Sequence, residues 1–460
     1  MADDPLASFG YRQQLRRSLS LGDLLVYGLI FMVPIAPFGI FGGVYQESGG
    51  MVPLAYVIGA VAMVFTARSY AEMASAFPMA GSVYTYAGRG ISPSIGFLAG
   101  WAIFLDYVLV PALLYLVAGA AMSSFVPAVP PWLWVIAFVL LNTLVNYLGI
   151  QLTARVNRIV LVAELVVLAL FLGFGLVALL GGAGQGISAR PFYDPATFSL
   201  PVVFGAVSVA VLSFLGFDAI STLAEENRGS ARQIGRAMIA ALVLAAALFV
   251  AQTWVAALLV PDPTRLLRDG DPASTAFYDT AAAAAGPWLG VLTALSTAIA
   301  WGFACSLVAQ AATARLLFAM ARDRQLPGFL ARVDRRRQSP ANATFLVAAV
   351  SLAVGVPLAL SGDGVPLLTS LVNFGALVAF LVLHVSVVVH HVIRGRSRHW
   401  VRHLVIPLIG FAVLLYVIVN AKAAARELGL GWLAVGAVVL LVAHIAGRSP
   451  RLSGLSEEPE

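Results

Sequence analysis

Pro34-Ile-Ala-Pro37-Phe-Gly39-Ile-Phe-Gly42-Gly43 lies inside an apolar run that covers residues 24–46. A run of that length crosses a bilayer as a helix, yet this stretch cannot continue one. Proline removes a backbone donor, and its ring clashes with the preceding turn. A second interruption, Ser213-Phe-Leu-Gly216-Phe-Asp218, sits in the run over residues 200–224. Freed backbone groups at membrane depth are tolerated only where they line a cavity or are packed in protein. Either break alone reads as an ordinary kink. Together, five spans apart, they fit two halves of an inverted repeat whose interrupted helices form a transport site.

The surrounding chain has a membrane composition. Its 460 residues are 60% hydrophobic and 11% charged, with a mean hydropathy of +0.91, against about 25% charged in a typical soluble chain. Apolar runs between loop signals predict spans at 24–46, 51–76, 94–122, 131–149, 156–180 and 200–224 in the first half. The second half gives 236–260, 288–320, 341–361, 364–393, 403–420 and 430–447. Two non-spanning helices are expected near 82–90 and 273–285. The predicted fold is an all-α membrane protein of about twelve transmembrane helices. It has a 5+5 inverted repeat with broken helices 1 and 6, plus two peripheral helices. The divisions are a cytoplasmic segment 1–23, repeats 24–180 and 200–393, peripheral spans 403–447 and a cytoplasmic tail 448–460.

Charge tests that count. With both termini inside, only Arg190, Arg265, Arg268, Lys422 and Arg426 of the 28 Lys and Arg residues fall outside. A missed or invented span would scramble this bias, because every later loop would change sides. The basic pI near 9.6 therefore reflects topology, and nucleic acid is not an expected partner. The lone cysteine, Cys305, excludes a disulfide framework. The first apolar run follows a polar head and is too long for a signal peptide. The expected location is a bacterial inner membrane.

Few acids lie within the spans, which makes each one informative. Asp106 is about 12 residues into span 3, roughly 18 Å deep. It either hydrogen-bonds the freed backbone of span 1 or meets a substrate ammonium. Glu164, about 8 residues into span 5, is read as shallower and without a structural partner, hence a candidate for proton coupling alongside Asp106. Low dielectric disfavours a charged carboxylate, so an embedded acid can exchange a proton as the site opens and closes. Asp218 reads as a cap on the span 6 break, and Glu225 and Glu226 as a gate latched to loop arginines. Phe38, Phe41, Tyr107, Phe214, Phe217 and Trp301 are aromatics near the breaks that can cage an ammonium. Phe217 is the expected gate. The six histidines lie mainly near cytoplasmic ends, and no Cys/His spacing among them is read as a metal site; no metal or cofactor is expected.

Three segments carry a family resemblance. Gly216-Phe-Asp-Ala-Ile-Ser-Thr-Leu-Ala-Glu-Glu226, Arg315-Leu-Leu-Phe-Ala-Met-Ala-Arg-Asp323 with Leu326-Pro327, and Phe77-Pro-Met-Ala-Gly-Ser-Val-Tyr84 resemble signatures of the amino acid–polyamine–organocation superfamily. Gly96-Phe-Leu-Ala-Gly-Trp101, Leu105-Asp106-Tyr107, Val129-Pro-Pro-Trp132 and Asn373-Phe-Gly-Ala-Leu-Val-Ala-Phe380 are most similar to its bacterial putrescine importers. The resemblance implies alternating access, with substrate held at Ile35, Ala36, Phe38 and Gly39 of span 1 and at Ser213, Gly216, Phe217 and Asp218 of span 6. Asp106, Trp301 and Asn373, from spans 3, 8 and 10, complete the implied site. Pro34 and Pro37 depart from the family by removing donors that a substrate carboxylate would use. Gly39 stands where the putrescine importers carry an acid, and Glu164 where some proton-coupled members carry a lysine.

The function expected from all this is proton-coupled import of a small amine or amino acid. A sodium-coupled carrier, with hydroxyls such as that of Ser306 holding the ion, and a substrate exchanger are the nearest alternatives. A membrane-embedded enzyme would need a metal motif or a nucleophile with a base at membrane depth, and a channel would need repeated pore motifs.

Overall fold

A computed structural model describes residues 15–445 except 149, 272–274, 335, 336, 338, 362, 363 and 422. The terminal segments 1–14 and 446–460, which include most of the expected cytoplasmic head and tail, lie outside the described residues, as do Arg335, Arg336 and Lys422. All described elements are helical apart from one isolated parallel bridge between Leu19 and Asn227.

Eleven helices are long and apolar enough to cross a membrane, and a bent pair makes twelve. That pair is span 1: helix 1a, Leu21–Met32, meets helix 1b, Pro37–Glu47, at 52°. Spans 2 to 5 are Val52–Ala76, Pro93–Phe125, Pro131–Leu148 and Ile150–Leu180. Span 6 is helix 6a, Leu200–Ala210, then the 3₁₀ turns Val211–Phe214 and Asp218–Glu226 on either side of a break. Span 7 is Ala231–Leu259, and span 8 is Pro287–Ile299 joined to Ser306–Arg322 through π-helical turns at Ala300–Cys305. Span 9 is Ala341–Ser361. Span 10, Gly364–Val387, ends in π-helical turns at Val388–Arg394, and span 11 opens with another at Val401–Val405 before Ile406–Val419. Span 12 is Ala423–Ile445. The expected short helices appear as Ser82–Gly90 and Ala276–Ala285; a further one, Pro263–Asp269, is additional to the prediction.

Local chemistry explains these boundaries. Proline occupies the first turn of spans 2, 3 and 8 and of helices 1b and 6a, where its missing N–H costs nothing. Ser20, Ser92 and Ser199 cap helices 1a, span 3 and 6a through their hydroxyls. Helix 1a stops where Val33 takes φ +52°, a conformation that β-branched residues avoid; the prolines after it prevent the helix from resuming until Pro37.

Breaks 1 and 6 pack against each other at the centre, and most of the buried residues surround them. Spans 4, 5, 9 and 12 turn apolar side chains outward, including Leu140, Val162, Val177, Leu360 and Leu441, as a lipid-facing surface requires. Span 12 docks on span 3 through Trp101 and Trp432, whose rings stack at 4.6 Å. Each indole donates to the other's carbonyl, at 2.9 and 2.8 Å, which satisfies two N–H groups that hydrocarbon would leave unpaired.

Candidate substrate site

Spans 1, 3, 6 and 8 enclose a mainly apolar cavity, lined among others by Ala36, Val110, Ser213, Leu215, Trp301 and Cys305. Ala36, Ser213 and Trp301 were expected at a site from sequence and lie on this wall. Gly39 packs under Trp301, such that a β-carbon there would come 3.2 Å from the indole. The indole thus fills the space beside Gly39. Ile35 is fully buried. Asn373 donates to the Ser208 carbonyl at 3.3 Å, joining span 10 to helix 6a, while its side-chain oxygen stays unpartnered among the described residues.

The freed backbone of span 1 does not use Asp106. Gln252 of span 7 donates to the Pro34 carbonyl at 2.9 Å, and the Cys305 thiol donates to the Phe31 carbonyl at 3.1 Å. Neither was singled out from sequence as a partner for the break, although a glutamine in the apolar run of span 7 is a signal of the kind that reveals one. Among the described residues the buried Asp106 carboxylate has no hydrogen-bond or ion-pair partner. It is not among the residues that line the cavity, but it sits one helical turn from Val110, which is, on the same face of span 3.

Asp218 does cap the second break. Its Oδ1 accepts from the Gly216 N–H at 3.2 Å, and its Oδ2 accepts from the Tyr107 and Tyr70 hydroxyls at 2.7 and 3.4 Å. Phe217, expected as a gate, packs against Tyr70 and Phe380 at ring separations of 5.7 and 5.9 Å.

Glu164 lies about 10 positions into the apolar span Ala154–Leu180, close to the depth that the sequence reading gives it. The helix itself begins earlier, at Ile150. Glu164 shares an inward face with Leu161, Leu168 and Phe171, and both carboxyl oxygens are buried without a partner among the described residues. Cys305 lies within electrostatic reach of both Glu164 and Asp106.

Both sides of the cavity are closed. Towards the arginine-rich face, Glu225 takes two hydrogen bonds from Arg322 at 3.0 and 2.8 Å and one from the Ala80 N–H at 3.0 Å. Glu226 pairs with the buried Arg315, and Tyr84 donates to Asp323 at 2.8 Å. The arginine partners are therefore on span 8, not in loops as expected. On the opposite face, Phe277 of the short helix Ala276–Ala285 stacks on Phe38 at 4.0 Å and meets Phe41 and Phe171 at 5.7 and 4.6 Å. Phe277 escaped the sequence reading because nothing local distinguishes one phenylalanine in a loop helix. One group of possible metal ligands stands together among the described residues, Glu72, His391 and His403, on the arginine-rich side.

A helical chain broken at spans 1 and 6 around a mainly apolar cavity has the form of a carrier, and a family profile described as amino acid permease fits residues 22–443. The chain belongs to that family. The resemblance carried by the short motifs extends over nearly the whole permease. It is 33% identical over 446 residues to the low-affinity putrescine importer PlaP of Escherichia coli (strain K12), covering 95% of this chain and 96% of the relative. It is 27% identical to the branched-chain amino acid permease BcaP of Bacillus subtilis (strain 168), and 26% identical to the methylthioribose transporter of the same organism. Each of those two alignments covers 95% of both chains. This permease is a multi-pass membrane transporter and not an enzyme.

Proposed function

We propose that this permease imports a small organic amine by alternating access, coupled to a proton, across a bacterial inner membrane whose cytoplasmic side is the arginine-rich face. The observation that carries the reading is the unpartnered Asp106 carboxylate beside the cavity. A buried carboxylate without a partner is costly, and an ammonium group would supply one.

Most N–H groups of the breaks are also already spent, which disfavours a substrate carboxylate. The Ala36, Phe38 and Gly39 N–H groups already bond to the Val33, Ile35 and Ala36 carbonyls at 2.7, 2.9 and 3.2 Å. Pro34 and Pro37 have none to offer. In span 6, the Leu215 N–H is spent on the Leu212 carbonyl and the Gly216 N–H on Asp218. Helices 1a and 6a point their C-terminal, negative ends at the breaks, which favours a cation there, while helix 1b presents its N-terminal end to the first break. The relative named as a putrescine importer supports the amine; the one named as a branched-chain amino acid permease marks the competing substrate class.

Glu164 is the proposed proton carrier, because it is embedded and unpartnered. A sodium ion is less well served. The Ser306 hydroxyl already donates to the Gly302 carbonyl at 2.6 Å and accepts from Asn142 of span 4 at 2.7 Å. Spans 1–5 and 6–10 form the two repeats in this reading, with spans 11 and 12 at the periphery.

Uptake of radiolabelled putrescine, a monoamine and a panel of amino acids into proteoliposomes, with and without an imposed inward proton gradient, tests this. Gradient-driven amine uptake should fall at least about tenfold in Asp106→Asn, the loss of about 1.4 kcal/mol or more of binding. Uptake of a neutral amino acid that Asp106→Asn leaves intact would overturn the amine assignment, and uptake indifferent to the gradient would overturn proton coupling.

A further inference from the structure

Glu72 ends span 2, His391 lies in the π-helical turns that finish span 10, and His403 lies in those that begin span 11. One carboxylate oxygen and one ring nitrogen from each histidine stand within 4.8 Å of one another. We propose that these three side chains bind a divalent cation of the zinc class, at a site separate from the substrate cavity.

Geometry separates this from an ordinary hydrogen-bonded cluster. His403 Nε2 and Glu72 Oε2 are 3.4 Å apart, longer than a good N–H···O hydrogen bond. It is the spacing of about 3.4 Å that two ligands have when each lies about 2.0–2.1 Å from a tetrahedral zinc ion. The other ring nitrogen, His403 Nδ1, is 2.8 Å from the Ser397 hydroxyl. In the neutral tautomer whose Nδ1 donates there, Nε2 presents a lone pair to the carboxylate, and a cation between them relieves the repulsion. Metal-bound histidines are oriented by just such an outer hydrogen bond.

His391 adds the third ligand. Its Nε2 is buried with no partner among the described residues, and its ring, which stacks on that of His403 at 4.1 Å and 16°, has to turn out of that stack for both lone pairs to reach one ion. A protonated His403 donating to Glu72 would explain that pair but would leave His391 Nε2 unsatisfied, which is costly when buried. Arg402 holds the other Glu72 oxygen at 2.8 Å, so the carboxylate is aimed and Oε2 remains available. Two imidazoles and one carboxylate form a nitrogen–oxygen donor set suited to zinc and neighbouring first-row ions. π-Helical turns are rare and concentrate at functional sites; here two of them bring the histidines together. A bound ion would join spans 2, 10 and 11 at one point.

The test is metal binding by the full-length protein, purified in detergent, stripped with chelator and titrated with Zn²⁺. The expected result is one equivalent per chain, weakened at least about tenfold by Ser397→Ala and more by His391→Asn or Glu72→Gln. His390→Asn, a neighbouring histidine outside the trio, should bind as the unsubstituted protein does. Variants are compared only if they elute as single species. Independently of any variant, Co²⁺ added to the unsubstituted protein should give the intense visible bands of a site with fewer than six ligands. A weak octahedral Co²⁺ spectrum, or an equivalent of Zn²⁺ that survives His391→Asn with Glu72→Gln, would overturn the proposal.

Discussion

Gly216 holds φ at +114°, and a β-carbon on it would fall 2.6 Å from Cγ of Phe31. Both facts require glycine: the first on conformational grounds, the second because Phe31 closes helix 1a against the second break. Gly216→Ala should therefore push the two breaks apart and lower stability by about 1–3 kcal/mol. A thermal-unfolding series followed by size-exclusion chromatography would measure this, and an unchanged midpoint would show that the breaks are not tightly joined there. Cys305 is a comparable case in which the side chain itself matters, because its thiol is the donor to Phe31. From sequence Gly216 reads as part of the second break and Cys305 only as a lone thiol in an apolar run, and neither reading includes its contact with Phe31. The contacts that give them meaning come from other spans, 274 positions away in the case of Cys305.

Among the elements, the span boundaries were legible and their partnerships were not. Bilayer thickness fixes how long an apolar run must be, and prolines mark where many of the helices begin, so predicted and observed spans agree within a few residues. The breaks were legible for the same reason, since Pro34, Pro37 and Gly216 act on their own backbone. Pairings across the bundle leave no such trace. Glu225 and Glu226 were matched with nearby loop arginines, whereas the fold supplies Arg322 and Arg315 from span 8, 97 and 89 positions on. His391 and His403, twelve apart, went unread as potential ligands because the carboxylate that completes the trio belongs to span 2. The latch between spans 6 and 8 yields a prediction at this scale. Arg322→Ala leaves Glu225 buried without its counter-charge, an effect of about 3–5 kcal/mol for a buried pair. It should loosen the arginine-rich side, seen as faster reaction of Cys305 with a small water-soluble thiol reagent added from that side. An unchanged rate would mean that the Glu226–Arg315 pair and the Tyr84–Asp323 bond hold the side shut without it.

Across the whole molecule the two seals differ in kind. One consists of ion pairs and hydrogen bonds contributed by spans 6 and 8 and the segment after span 2; the other is a stack of phenylalanines completed by one residue of a loop helix. Aromatic contacts contribute about 0.5–1.5 kcal/mol each beyond burial, so the phenylalanine side should yield first. Phe277→Ala should raise the rate at which a small reagent reaches the cavity from the face opposite the arginines, with little change from the other; equal increases from both faces would count against an asymmetric closure.

Cys305 makes that measurement possible without re-engineering the chain. It is the one thiol in 460 residues, it is buried, and it stands on the cavity wall. Reagent in bulk water has nothing else to modify, and any label that forms records a visit to the interior. Shielding of that sulfur by a transported compound would then rank candidate cargoes by occupancy, with no isotope and no assumption about which ion drives the cycle.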